Sequence, residues 1–327
     1  MRILVTGGAG YIGSHFVKLL GKNGSYSLTV LDNLSTGHRS AVTHGELVTI
    51  DLGDTASVEA LLQKNRFDAI VHFAAHIVVP ESVADPLKYY VNNTLNTINL
   101  VRLCLTYGIK KFIFSSTAAV YGDPENGVVS EMSPRIPINP YGWSKLMSEQ
   151  AILDACRAHP DRFRAVILRY FNVAGADPEG EIGQSFPNAT HLVKVAAEAA
   201  LGKRDTVSIF GTDFPTTDGT GIRDYIHVTD LAYLHLIALN YLVAGGKTDI
   251  FNCGYGHGYS VREVLDTMKK VSGVDFAVIE APRRPGDPAK LVADTTKVRT
   301  TWGWHPMYDS LEVICRTALE WERNRRY

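Results

Sequence analysis

Tyr141 and Lys145 stand four residues apart in the segment Tyr141-Gly-Trp-Ser-Lys145, which reads as helix. Residues at that spacing share one helix face, so the Lys145 ammonium lies near the Tyr141 phenol and stabilises its phenolate. A free phenol titrates near about 10, which makes an unaided tyrosine a poor base at neutral pH. A tyrosine tuned in this way can take a proton from a hydroxyl group, provided that something redox-active sits beside it. The competing reading is an amphipathic helix with chance spacing. Thr117 and the N-terminal loop weigh against it.

That loop is Gly7-Gly-Ala-Gly10-Tyr11-Ile12-Gly13, between the apolar run Arg2-Ile-Leu-Val-Thr6 and a helical pattern with Ile12, Phe16, Leu19 and Leu20 at core spacing. Gly8, Gly10 and Gly13 satisfy G-x-G-x-x-G, while Gly7, Gly10 and Gly13 fall at three-residue steps. Such glycines permit a tight turn, close approach of backbone to a pyrophosphate and close strand–helix packing, with the anion at the positive end of the helix. A second run, Ser27-Leu-Thr-Val-Leu31, ends in Asp32 and then Asn33, about twenty residues past the loop. A carboxylate there accepts hydrogen bonds from ribose hydroxyls and repels a 2′-phosphate, which favours NAD over NADP. Arg39 and His38 are the nearest cations that bear on that choice.

These residues need a scaffold. Strand-like runs at Glu46 to Ile50, Asp68 to Phe73, Lys111 to Ser115 and Arg164 to Arg169 alternate with helical patterns near residues 55 to 64, 86 to 107 and 140 to 157. The alternation predicts an α/β fold of Rossmann type, a doubly wound parallel sheet with ligands beyond the carboxyl ends of its strands. Asp51, Phe73, Ser115, Thr117 and Asn172 fall at or just past such ends. From about residue 175 the rhythm changes to long connections and shorter elements. These include a helix from about 188 to 201, one after Thr229, one opened by the capping-box pattern Ser260-Val-Arg-Glu263, and a last helix capped by Asp309 or Ser310. The expected division is residues 1–174 as the dinucleotide half, with about 224–255 returning to it, and 175–327 as a smaller α/β substrate lobe.

The 327 residues suffice for one large or two packed domains with an ample core. A net charge of −1 with scattered basic residues argues against nucleic acid as a main partner. No apolar run is long enough to span a bilayer, and the chain opens on a strand rather than on a signal peptide. Cys104, Cys156, Cys253 and Cys315 are widely spaced, which fits buried thiols in a reducing cytoplasm better than disulfides or zinc. The histidines His72, His76, His227 and His257 have no metal-like spacing, so no metal site is expected.

Taken together, the chain resembles the UDP-glucose 4-epimerase family of extended short-chain dehydrogenases/reductases over essentially its full length. The matching stretches are Thr6 to Gly13, His72-Phe-Ala-Ala75, Ser115-Ser-Thr-Ala-Ala-Val-Tyr-Gly122, Tyr141 to Lys145, Arg169-Tyr-Phe-Asn172, Asp218 to Val228, and Arg283-Arg-Pro-Gly-Asp287. The resemblance implies NAD as cofactor and UDP-glucose and UDP-galactose as substrates. Tyr141 would take the proton of the sugar 4-hydroxyl as the C4 hydride leaves, Lys145 would hold the phenolate and the nicotinamide ribose, and Thr117 would share the proton. It places Asp51 and Leu52 at the adenine, Phe73 and Ala74 near the phosphates, and Asn93 and Tyr170 nearer the nicotinamide, and it counts Ala75 and Ser115 among the cofactor-binding residues. Arg223 and Arg284 would hold the diphosphate and Asn172 would bridge phosphate and sugar, while His191, Leu192, Phe210 and Asp287 would flank the uridine. Helices 86 to 107 and 140 to 157 would pair in a homodimer.

Two positions depart from the family pattern. Ile77 stands where some relatives carry a cofactor-binding Lys, and Lys290 stands at the expected limit on hexose size, leaving acceptance of N-acetylhexosamines open. A nucleotide-sugar 4,6-dehydratase would need an acid and a base directly after the Thr, where this chain has Ala118 and Ala119. A UDP-glucuronate 4-epimerase or decarboxylase, and a catalytically silent nucleotide sensor on the same fold, are the remaining alternatives.

Overall fold

The computed structural model describes residues 1–186, 190–284 and 286–327. The expected helix start at 188 and Pro285 of the Arg283 to Asp287 stretch lie outside the described residues. The chain divides into two compact units. One comprises Met1–Val120, Pro137–Arg169 and Ala232–Phe251; the other comprises Tyr121–Ile136, Tyr170–Leu231 and Asn252–Tyr327.

The first unit is built on a seven-stranded sheet ordered Asp249–Cys253, Arg164–Tyr170, Lys111–Thr117, Ala69–His72, Arg2–Thr6, Ser27–Asp32, Glu46–Thr49. Arg2–Thr6 pairs in parallel with both neighbours, as do Ser27–Asp32 with Glu46–Thr49 and Ala69–His72 with Lys111–Thr117. The strand order reverses beside Arg2–Thr6, the topological switch point where the carboxyl ends leave a crevice. Ile3, Leu4 and Val5 are fully buried, as the continuous apolar run requires of a strand covered on both faces. Leu4, Ile70, Leu100, Phe112, Ile152 and Ile167 belong to one core that joins sheet to helices.

The helices follow the predicted pattern with two differences. Residues 86 to 107 are helical throughout, but Tyr90–Leu95 is a π-helical segment between Pro86–Tyr89 and Asn96–Tyr107. A short helix, Val79–Ala84, lies outside the predicted pattern; at six residues, with Pro80 in its first turn, it leaves no helical periodicity in the sequence. The helix carrying Tyr141 spans Pro140–Ala158; Asn139 caps it by accepting the Gly142 amide at 2.9 Å, and Pro140 supplies a ready-made first turn.

The second unit holds a four-stranded sheet ordered Tyr259–Ser260, Ile222–Arg223, Lys290–Ala293, Val128–Val129, together with two strand pairs, Tyr225–His227 with Asn172–Ala174 and Ala277–Ala281 with Thr206–Phe210. Helices Leu192–Ala200, Val261–Ser272 and Leu311–Arg323 pack on one another. The capping box at Ser260 and Glu263 forms as expected, and Ser310 rather than Asp309 caps the last helix. The Asp224 carboxylate, fully buried, accepts backbone amides of Tyr255, Gly256 and Ala293 and so fastens three segments to one point. All four cysteines are buried thiols.

Candidate active site

The glycine loop is shaped by close approach. Gly7 has φ +72°, and a Cβ there would lie 2.5 Å from the Ala74 amide nitrogen; one on Gly13 would lie 2.3 Å from the Gly7 carbonyl oxygen. Phe73 and Ala74, at the end of the neighbouring strand, thus abut the loop. The helix that follows, Tyr11–Asn23, starts at Gly10 with no side-chain cap and no acidic residue in its first turn, leaving its first amides available to an anion. Asp32 ends its strand with one carboxylate oxygen accepting the Ala9 amide at 3.0 Å and the other the Leu34 amide at 2.9 Å. Asn33 donates to Asp51 at 2.6 Å, tying two adjacent strand ends. Leu52 packs against the core, and the Tyr11 phenol is held well above 10 by burial. Cradle, uncapped helix and fixed carboxylate fit a dinucleotide with its pyrophosphate at the loop and a ribose at Asp32.

Tyr141 and Thr117 are hydrogen-bonded through their side chains. Burial nonetheless raises the Tyr141 phenol above its ordinary value, with the Thr117 contact pulling the other way. The Tyr89 ring meets Tyr141 edge-on at 6.4 Å between centroids. Lys145 is buried and donates to the Ser115 carbonyl at 2.9 Å, with its ammonium 4.9 Å from the centre of the Phe114 ring. Desolvation lowers Lys145 to about 7 despite the Glu149 carboxylate nearby, which favours its charged form. Thr117 supplies the lowering contact, and the lysine is directed at the strand end.

Asn93 is a brace: its amide donates to the His76 carbonyl and to Ser144 Oγ, each at 3.0 Å, and accepts the His76 amide at 2.8 Å. Thr94 Oγ1 donates to the Ser144 carbonyl and Ser148 Oγ to the Asn93 carbonyl, so the π-helical segment is pinned to the Tyr141 helix. Ser115 Oγ lies 3.4 Å from His235 Nε2. His72, buried between Thr6 and Thr97 hydroxyls and pushed down to about 3 by desolvation, is a neutral structural residue. Ala75 is half-buried, and Tyr170 closes its strand.

In the second unit, Asn172, His191 and Leu192 line one small cavity of about 20 Å³ with Gln184, Lys194 and Trp321. Gln184 Nε2 and His191 Nδ1 are 2.8 Å apart, a contact that orients the imidazole. The Arg284 guanidinium stacks 3.7 Å over the centre of the Phe210 ring, and Arg223 is ion-paired with Asp287. The Lys290 stem lies over Gly127, where a Cβ would fall 2.6 Å from that of Lys290. Three carboxylates, Asp177, Glu179 and Glu181, gather at a turn in which Asp177 accepts the Glu181 amide.

Four residues escaped the sequence reading: Ser116, Glu149, Arg169 and Gln184. Glu149 carried a signal, since it stands four residues past Lys145 and eight past Tyr141 on one helix face, and Arg169 opens a quoted motif. Arg169 Nε and Nη2 grip the Glu149 carboxylate at 2.9 and 2.6 Å, and Ser116 Oγ donates to it at 2.5 Å.

A parallel sheet with its switch point at a glycine loop, and a Tyr–Lys pair beside a hydroxyl residue at strand ends, define a dinucleotide-dependent enzyme acting on alcohol and carbonyl groups. Residues 3–254 match the NAD dependent epimerase/dehydratase family, and the chain belongs to that family. It is 54% identical to the UDP-glucose 4-epimerase of Azospirillum brasilense over 99% of this chain and 92% of that protein. Among solved structures, the UDP-Glc/GlcNAc 4-epimerase of Campylobacter jejuni is 54% identical over 99% of both chains, with a TM-score of 0.87. UDP-glucose 4-epimerase from Brucella ovis in complex with NAD is 43% identical over 97% of both chains, with a TM-score of 0.93. No helix of the described residues is long and apolar enough to cross a membrane.

Proposed function

We propose that the chain interconverts UDP-galactose and UDP-glucose by reversible epimerisation at C4 through a 4-keto sugar. The contact of Thr117, at its strand end, with Tyr141, on the helix that also carries buried Lys145, is the observation that carries this reading. Tyr141 takes the proton of the 4-hydroxyl and later returns it, and Thr117 shares that proton. NAD, when bound, supplies the group that accepts and gives back the C4 hydride. Gly7, Gly10, Tyr11, Ile12 and Gly13 hold its pyrophosphate, Asp32 and Asn33 its adenosine ribose, and Asp51 and Leu52 its adenine. Phe73 and Ala74 would lie near the phosphates, with Ala75 beside them. Asn93 and Tyr170 shape the far end, and Ser115 and Lys145 hold the second ribose.

The second unit binds the UDP moiety. Arg223 and Arg284 meet the diphosphate as guanidinium forks suited to phosphate oxygens, and Phe210 and Asp287 lie at the uridine. Asn172 bridges phosphate and sugar, and His191 and Leu192 flank the uridine. Ala118 and Ala119, lacking any group that transfers a proton, disfavour dehydration. Val83, Leu87, Val91, Leu95 and Ile98 form an exposed apolar stripe, continued by Trp143 and Met147, which suits a homodimer. Buried thiols fit a cytoplasmic setting.

Product analysis on a panel of UDP-hexoses without added NAD tests the reading. UDP-galactose should yield UDP-glucose at unchanged mass, with deuterium at C4 retained; loss of one water, or washout of the label, overturns it. The likeness to a UDP-Glc/GlcNAc 4-epimerase favours a second reading in which N-acetylhexosamines also turn over, and the same panel reads it.

A further inference from the structure

The Arg169-Glu149-Ser116 cluster has no part in the chemistry above, yet it is built with unusual care. Glu149 and Arg169 are each 0% exposed and Ser116 1%. Both Glu149 oxygens are used, one by Arg169 Nη2 at 2.6 Å and the other by Arg169 Nε at 2.9 Å and Ser116 Oγ at 2.5 Å. A dry ion pair is weak evidence for stability, because desolvating both charges offsets their attraction and apolar replacements are often neutral. Its placement is more telling. Ser116 sits between Ser115, whose carbonyl receives Lys145, and Thr117, which meets Tyr141. Glu149 lies one helical turn beyond Lys145, on the face the lysine uses.

We propose that Glu149, clamped by Arg169 and Ser116, is a positioning residue that fixes the Tyr141–Lys145 helix in register on the Ser115–Thr117 strand end and supplies the counter-charge for the Lys145 ammonium. The inference rests on the epimerase reading for its kinetic consequence. Among the described residues, the groups facing Lys145 are few. Glu149 and Tyr141 come from its own helix, the Ser115 carbonyl and Phe114 ring from strand Lys111–Thr117, and neutral His72 from strand Ala69–His72; Arg169 reaches it through Glu149. Glu149 is thus the anion that favours the protonated amine. Removing its charge beside Arg169 lowers the pH at which Lys145 loses its proton.

The test compares the purified, NAD-loaded parent with Glu149→Gln, Glu149→Asp and the apolar double variant Glu149→Leu/Arg169→Met. The measurements are kcat and KM for UDP-galactose across pH, and the pH dependence of Lys145 acetylation by mass spectrometry. Glu149→Gln should lose roughly 100-fold in kcat, the scale of a small misplacement of catalytic groups, with KM little changed. Its alkaline limb and its Lys145 acetylation should both move to lower pH, and Glu149→Asp should recover part of the rate and both profiles. A folded Glu149→Gln with the parental rate, or one that is slow with both profiles unmoved, overturns the proposal. Should Glu149→Gln not fold, the double variant decides: native melting with a slow rate supports the proposal, native melting at the parental rate refutes it. If the parent itself does not interconvert the sugars, the functional reading fails, and the acetylation profiles still judge the role of Glu149.

Discussion

At the scale of residues, the proton chemistry comes down to one phenol whose environment pulls two ways. Burial raises Tyr141 and the Thr117 hydroxyl lowers it, so the base is made by its neighbours rather than by its identity. Tyr141→Phe removes the proton carrier while keeping the ring and its edge contact with Tyr89. Turnover should fall by about 10²- to 10⁴-fold, the usual worth of a general acid–base group, and calorimetric UDP binding should stay near that of the parent; near-normal turnover would remove Tyr141 from the mechanism. The Tyr141–Lys145 pair was legible because its spacing is local. The roles of Glu149 and Arg169 were not, because the two residues stand twenty apart in sequence, one on a helix and one on the next strand, and only the folded sheet brings them together.

At the scale of elements, the loop between the first strand and its helix is the most constrained piece of the molecule. A methyl group at Gly13 would collide with the Gly7 carbonyl oxygen and with Gly8 Cα, both backbone atoms that no rotamer change can clear. Gly13→Ala should therefore force the helix from the strand at a cost of about 1–3 kcal/mol, the range for overpacking. Loss of bound NAD should accompany a lower denaturation midpoint; a variant that melts and binds like the parent would show that the contact is not rigid. The strand–loop–helix pattern and the acid at Asp32 were readable in the sequence because turn, helix start and strand end each leave a local mark. The π-helical segment Tyr90–Leu95 left none. Its bonding is set by tertiary contacts with the Tyr141 helix, which Asn93 and Thr94 make from the segment and Ser148 makes from the helix.

At the scale of the whole molecule, the alternating elements predicted the sheet and its parallel pairings. The second unit, with short strands drawn from distant segments, was legible only as a change of rhythm. One of its pins sets a pH dependence. Burial lifts the Asp224 carboxyl to about 6, above its ordinary value near 4, so the folded chain holds this proton more tightly than the unfolded chain does. The stability it contributes is fully present below the ordinary value and is lost as pH rises through about 6. Relative to Asp224→Asn, the parent should gain about 2 kcal/mol between pH 7.5 and pH 4 in denaturant titrations. A constant gap would mean that Asp224 does not titrate in that window. The four thiols bear on experiment differently. Burial pushes Cys315 up to about 12 and raises Cys104, Cys156 and Cys253, so none offers an accessible thiolate at neutral pH. A maleimide dye or spin probe added to the folded protein will ignore all four, and one engineered surface cysteine can then be labelled alone without first stripping out the native ones.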